Sequence, residues 1–216
     1  MKSLFVDFIK LTAWPVAWIA FHTKCYFEDK RVQGRRIRGK AIVASNHRSI
    51  WDLAVMMFVF PFRTLRCVIA EVMFQKNFIF SWFLYAIGGI RVDRKSNDYA
   101  FINKCKRVLS RGGVVEIYPE SRLPLPDEER PLEFKPSVIY LALESGAPII
   151  PVYTNGNCFR KARNKVMIGK PFYVLDHYDS ELSEKENIAN ITQLLRQRII
   201  ELGNELEKRE KEEGCQ

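Results

Sequence analysis

Ala41-Ile42-Val43-Ala44-Ser45-Asn46-His47-Arg48-Ser49-Ile50-Trp51-Asp52 is the stretch that decides the fold. Its first five residues are an apolar run that reads as a buried strand. The polar residues behind them read as a turn into a helix starting near Ser49. One imidazole then precedes one carboxylate by five residues. On a regular helix such residues sit about 140° apart and do not share a face. His47 and Asp52 can therefore meet only if the chain turns between them. If they meet, a neutral imidazole can take a proton near neutral pH. The carboxylate on its other ring nitrogen fixes the tautomer and stabilises the imidazolium that forms. The chain has no Gly-x-Ser-x-Gly elbow, so the hydroxyl to be activated belongs to a substrate. The plainer alternative is a histidine and a helix-entry aspartate that never touch.

Outward from this segment the pattern repeats. Strand-like runs at 41–45, 67–70, 114–118, 149–153 and 166–168 alternate with helical stretches at 99–110 and 137–144. The alternation predicts an α/β fold, a mostly parallel sheet flanked by helices. Residues 1–25 read as a membrane-associating helical segment and 26–180 as the α/β domain. Residues 181–216 read as an amphipathic helix with a charged tail. The apolar stretches 53–62 and 78–87 read as core helices, with a lipid-facing surface as the alternative.

Three further segments follow the first in order. Gly88-Gly89-Ile90-Arg91-Val92-Asp93-Arg94 comes after an aromatic apolar run. Tyr118-Pro119-Glu120-Ser121-Arg122 follows Val114-Val115-Glu116-Ile117, and Ala147-Pro148-Ile149-Ile150-Pro151-Val152-Tyr153 forms another strand. Together with Asn46 to Asp52, these resemble the four sequence blocks of the glycerolipid acyltransferases, in particular the 1-acylglycerol-3-phosphate acyltransferases. The resemblance runs from about residue 32 to about residue 172. It implies that His47 is the general base and Asp52 its orienting carboxylate. It implies that Arg94, Glu120 and Arg122 hold the acceptor, and it ties Pro151 to the acyl-donor side. One residue departs from the pattern: Ser121 stands where the family carries glycine. If that position needs a positive φ, serine is strained there.

The residue chemistry agrees with an anionic acceptor. Arginine presents a planar fork suited to phosphate oxygens. Arg91 and Arg94 flank a glycine-rich turn where backbone can approach an anion. A solvated surface charge is the plainer reading of Arg91. Glu120 has a rival role as a salt-bridge partner that positions Arg122.

The 216 residues can bury one sizeable core. The net charge of +9 is uneven: residues 1–112 carry 20 Lys+Arg against 7 Asp+Glu, whereas 113–216 carry 14 against 18. A basic first half suits an anionic bilayer and an anionic substrate. No zinc-finger spacing, RNP signature or helix-turn-helix pattern points to nucleic acid. The cluster Lys30, Arg31, Arg35, Arg36, Arg38 and Lys40 reads as a hairpin around Gly34 and Gly39. Near the N-terminus, the apolar 4–21 stretch is interrupted by Asp7, Lys10 and Pro15. Its uncharged part is shorter than the roughly 20 residues needed to cross a bilayer, so it reads as a monotopic anchor at the cytoplasmic membrane face. A signal peptide and a core helix are the alternatives.

At the other end, Ile188, Ile191, Leu195, Ile199, Leu202 and Leu206 mark an amphipathic helix. Ser183 and Glu186 form a capping box at its start, and it is expected to fray beyond Lys208. Five scattered cysteines lack zinc or redox spacing and read as reduced thiols. No metal and no resident cofactor are expected. The expected reaction moves an acyl chain from acyl-CoA or an acyl carrier protein thioester, as co-substrate, to the free hydroxyl of a lysophospholipid acceptor, 1-acylglycerol 3-phosphate. The alternatives are another acceptor (glycerol 3-phosphate, another lysolipid or an amino-acid lipid) or a non-catalytic protein that binds anionic membranes.

Overall fold

β2 (Ala41–Ser45) is buried at every residue and lies in the middle of a seven-stranded sheet. The other strands are β1 (Lys24–Phe27), β3 (Leu65–Ala70), β4 (Ile90–Val92), β5 (Val114–Ile117), β6 (Ile149–Thr154) and β7 (Lys165–Ile168). The computed structural model describes residues 4–93, 100–125, 127–128, 130–159 and 163–214. Strand order is β1-β7-β6-β2-β5-β3-β4, parallel at every pairing except β6 with β7.

Alternate residues of β2 serve opposite faces. Ile42 and Ala44 pack beneath α5 (Ala100–Ser110), α6 (Ser137–Ser145) and α7 (Glu184–Gly214). Ala41 and Val43 pack beneath α1 (Leu4–Phe21) and α2 (Asp52–Val59). Two sides covered by helices explain why the central strands read as unbroken apolar runs rather than alternating ones.

β1 and β4 escape the sequence pattern because both are short edge strands. Their register comes from β7 and β3 rather than from their own side chains. The hairpin expected at 30–40 is not formed. β1 lies at the sheet edge with β7 and β6 between it and β2, so the chain crosses the sheet end as an irregular loop. In that loop Arg35 donates to the carbonyls of Phe58 and Val59, and Lys40 donates to that of Ser145.

The two apolar stretches behave differently from each other. In α2, five of eight residues are buried. In α4 (Phe78–Ala86) only Leu84 is buried, while Phe78 and Ile79 are 84% and 77% exposed. α4 is therefore not the core helix expected. It lies beside α1, with the rings of Phe5 and Trp82 5.6 Å apart. A four-residue turn, α3 (Glu71–Phe74), leads into it.

α1 is long and apolar enough to cross a membrane by length and composition. Lys10, which seemed to interrupt it, ties it to the domain. Its ammonium donates to the carbonyls of Phe60, Pro61 and Arg63 at the C-terminal end of α2, where the helix leaves carbonyls unpaired and favours a cation.

The long C-terminal helix buries all six residues of its apolar stripe. Ser183 and Glu186 exchange hydrogen bonds at its entry, as the capping box predicts. It does not fray at Lys208 but continues to Gly214. The tail charges hold it down on β1 and β7: Glu213 accepts from Lys24 and Tyr26, and Lys165 pairs with Glu210.

Candidate active site

His47 leaves the C-terminal end of β2, and Asp52 is the first residue of α2. The helix thus starts three residues later than expected, and the intervening chain makes the turn the pair requires. His47 Nδ1 lies 2.8 Å from Asp52 Oδ2. The same oxygen accepts from the backbone N–H groups of Arg48 and Ser49, at 2.8 and 2.9 Å. Those bonds fold the 47–52 segment around the carboxylate. Asp52 is 1% exposed, and its other oxygen, Oδ1, has no hydrogen-bond partner among the described residues.

The imidazole plane is set from one side by Tyr118, whose ring stacks on it at 4.5 Å. Nδ1 is committed to Asp52, which leaves Nε2 as the nitrogen that can work on a substrate. His47 keeps 18% of its side-chain surface open. Asn46 fixes the strand end from which His47 projects. Its amide exchanges two bonds with the Thr154 backbone, at 2.8 and 2.9 Å, joining the ends of β2 and β6.

Glu120 is tied to the backbone of the site. One of its oxygens accepts from the His47 backbone N–H at 2.7 Å, and the other accepts from Leu132 N–H at 2.9 Å. It is 3% exposed and holds the histidine's backbone. Burial pushes its carboxyl up, and the two N–H groups offset part of that rise. The salt bridge expected between Glu120 and Arg122 is not made. Arg122 instead pairs bidentately with Glu128, at 2.5 and 2.6 Å, and remains half exposed.

Ser121 does sit at positive φ, 63°. A serine there costs about 1–2 kcal/mol that glycine avoids. Arg91 projects from β4 and pairs with Glu71. Arg94 lies outside the described residues. Pro151 is buried within β6 and pairs in register with Ala44 of β2.

Sequence reasoning passed over Glu116. This carboxyl lies in β5, in register with Cys67 of β3 and Val43 of β2, and is fully buried. Tyr118 donates its hydroxyl to Glu116 Oε1. Burial pushes the acid up to about 8, the Tyr118 bond opposes the rise, and the charge of Asp52 adds to it. The available signal was one acid inside an otherwise apolar strand. Among the described residues, no three His, Cys, Asp or Glu side chains are grouped as a metal would need.

A base held by a carboxylate, at the C-terminal ends of parallel strands, suits the activation of a hydroxyl. A family model described as Acyltransferase matches residues 19–155, which include His47, Asp52, Tyr118 and Glu120. The chain belongs to the acyltransferase family. This acyltransferase is 28% identical over 173 residues to a 1-acyl-sn-glycerol-3-phosphate acyltransferase of Bacillus subtilis (strain 168), covering 77% of the chain and 83% of that protein. It is 25% identical to the Homo sapiens 1-acyl-sn-glycerol-3-phosphate acyltransferase beta over 74% of the chain and 58% of that protein. The crystal structure of the 1-acyl-sn-glycerophosphate (LPA) acyltransferase PlsC from Thermotoga maritima shares the fold. It superposes with a TM-score of 0.61 at 17% identity, covering 92% of this acyltransferase and 78% of that chain.

Proposed function

We propose that this acyltransferase moves an acyl chain from a thioester to the free hydroxyl of 1-acylglycerol 3-phosphate, making phosphatidate for phospholipid synthesis. The observation that carries the reading is the His47–Asp52 bond of 2.8 Å on Nδ1, which leaves Nε2 for the acceptor. His47 Nε2 takes the hydroxyl proton as that oxygen attacks the thioester carbonyl. The carbon–oxygen bond forms, the tetrahedral intermediate collapses, and the carbon–sulfur bond breaks. The imidazolium returns the proton to the departing thiolate. Asp52 keeps the ring in the required tautomer throughout. No acyl-enzyme forms in this scheme, and no cofactor takes part.

Arg122 is the cation we assign to the acceptor phosphate, together with Arg94. Exchange of the Glu128 carboxylate for a phosphate would keep the bidentate geometry of Arg122. Acyl-CoA or an acyl carrier protein supplies the thioester. The exposed aromatics of α4 beside the apolar outer side of α1 favour a protein that lies on the membrane surface, at its cytoplasmic face.

The test is purified protein with labelled acyl-CoA or acyl carrier protein and 1-acylglycerol 3-phosphate in mixed micelles. Labelled phosphatidate supports the reading. Label trapped covalently on the protein in the absence of acceptor would refute the direct step. The strained Ser121 favours a second reading with a different acceptor. Product with glycerol 3-phosphate or another lysolipid, and none with 1-acylglycerol 3-phosphate, would establish that one instead.

A further inference from the structure

A cavity of about 880 Å3 lies between α1, the 28–38 loop and the sheet, and none of the residues assigned to the reaction lines it. That volume is within the roughly 300–1,000 Å3 of small-molecule sites. Its floor is apolar, with Trp14, Ala17, Phe21 and Phe58 from α1 and α2 among its lining. Its charge is one-sided: seven lysines and arginines line it, and no carboxylate does among the described residues. Lys24 and Arg31 are neutralised by Glu213 and Asp29. Lys30, Arg35, Arg36, Arg38 and Arg163 have no carboxylate partner among the described residues, and Arg36 and Arg38 are exposed.

Topology places these charges. Lys24 and Arg163 lie at the end of the sheet where β6 finishes beside Asn46. Arg36 and Arg38 lie in the loop at the opposite end, where β2 and β6 begin next to Pro148. The groove therefore runs the length of the strands, with its most basic mouth farthest from His47. α1 walls it with Trp14 and Trp18, while Leu11 and Ile19 on the same helix are 77% and 73% exposed. A ligand that fits must combine an anionic group with a long apolar body and be reachable along α1.

We propose that this groove binds one anionic phospholipid of the bilayer, at a site separate from the acceptor site. The phosphate sits at Arg36 and Arg38, and a chain lies along the floor that Trp14 and Phe58 form with their rings packed edge to face. Charge complementarity selects the headgroup, and the apolar floor distinguishes this site from a purely electrostatic surface. It does not rest on the chemistry assigned to His47.

The test is calorimetry on the full chain in neutral detergent, titrated with dihexanoyl phosphatidylglycerol held below its micelle concentration, with dihexanoyl phosphatidylcholine as control. Saturation at one anionic lipid per protein, with no heat from the zwitterionic lipid, is expected. Arg36→Glu/Arg38→Glu, on exposed side chains, weakens binding by about tenfold or more. Ala17→Phe obstructs the floor and weakens binding as well, and His47→Ala binds like the wild type. Equal binding of phosphatidylcholine, or unchanged binding in the charge-reversed protein, overturns the proposal. Displacement of the lipid by palmitoyl-CoA also overturns it, because the groove would then belong to the acyl donor.

Discussion

The cleft around His47 and the surface formed by α1, α4 and the 28–38 loop are built on opposite principles. In the cleft, three carboxyl groups, Asp52, Glu116 and Glu120, are nearly or fully buried. Asp52 and Glu120 are held by backbone N–H groups, so the chain itself immobilises the histidine they serve. On the other surface the charges are mostly cationic, and large apolar side chains such as Leu4, Phe8, Phe78 and Trp82 stand in solvent. Chemistry needs one geometry held within tenths of an ångström. A bilayer surface presents no fixed geometry, so area and charge suffice to bind it. Substitutions in the first region should change turnover and leave membrane binding alone, and substitutions in the second should do the reverse.

The largest effect is expected at Asp52. Asp52→Asn keeps the side-chain shape and an oxygen for the Arg48 and Ser49 N–H groups, but it removes the negative charge that stabilises the imidazolium. Turnover should fall by about 10³-fold or more, with vesicle binding and the melting temperature near wild type. Turnover within a few-fold of wild type would show that the charge of the carboxylate does not assist the histidine.

Next is Glu116, where the sign follows from its raised pKa. The folded protein holds this proton up to about pH 8, against 4.5 in the unfolded chain. Its contribution to stability is complete below about pH 4.5 and is lost progressively as pH rises to about 8. Glu116→Gln does not titrate. Between pH 4.5 and pH 7 the stability difference should therefore move by about 3 kcal/mol in favour of the glutamine variant. Denaturant unfolding of both proteins at the two pH values measures it. A difference that does not change with pH would mean that Glu116 is ionised in the fold.

Replacing Phe78 and Trp82 together by serine removes two exposed rings from α4. Partitioning into anionic vesicles should weaken by about tenfold, while turnover on acceptor presented in detergent stays unchanged. A matching loss of turnover in detergent would place α4 in the cleft's machinery. The smallest effect is at Ser121→Gly, which should add about 1 kcal/mol of stability by relieving the positive φ. Thermal melting shows it, and a drop in stability would mean that the serine side chain contributes more than the strain removes.

Much of the architecture was legible because central parallel strands have to be apolar on both faces, as β2 and β6 largely are and as β5 is apart from Glu116. The edge strands were not legible, since Lys24–Phe27 and Ile90–Val92 take their register from neighbours far away in sequence. α4 was misread because an apolar stretch looks the same whether it meets a core or a membrane. At the site, the five-residue spacing allowed His47 and Asp52 to meet only through a turn or not at all, and the structure makes the turn. The real partners of Glu120 were invisible, because backbone N–H groups carry no sequence signal. The charge of Glu116 was visible in the sequence, but not its depth.

His47→Ala, assayed beside wild type for transfer of labelled acyl chain to 1-acylglycerol 3-phosphate, tests the central claim most directly. Vesicle binding and melting temperature serve as controls in the same preparations. The account predicts a loss of about 10²–10⁴-fold in turnover, the range that general-base catalysis supplies, with both controls unchanged. Turnover retained in a folded variant would contradict it.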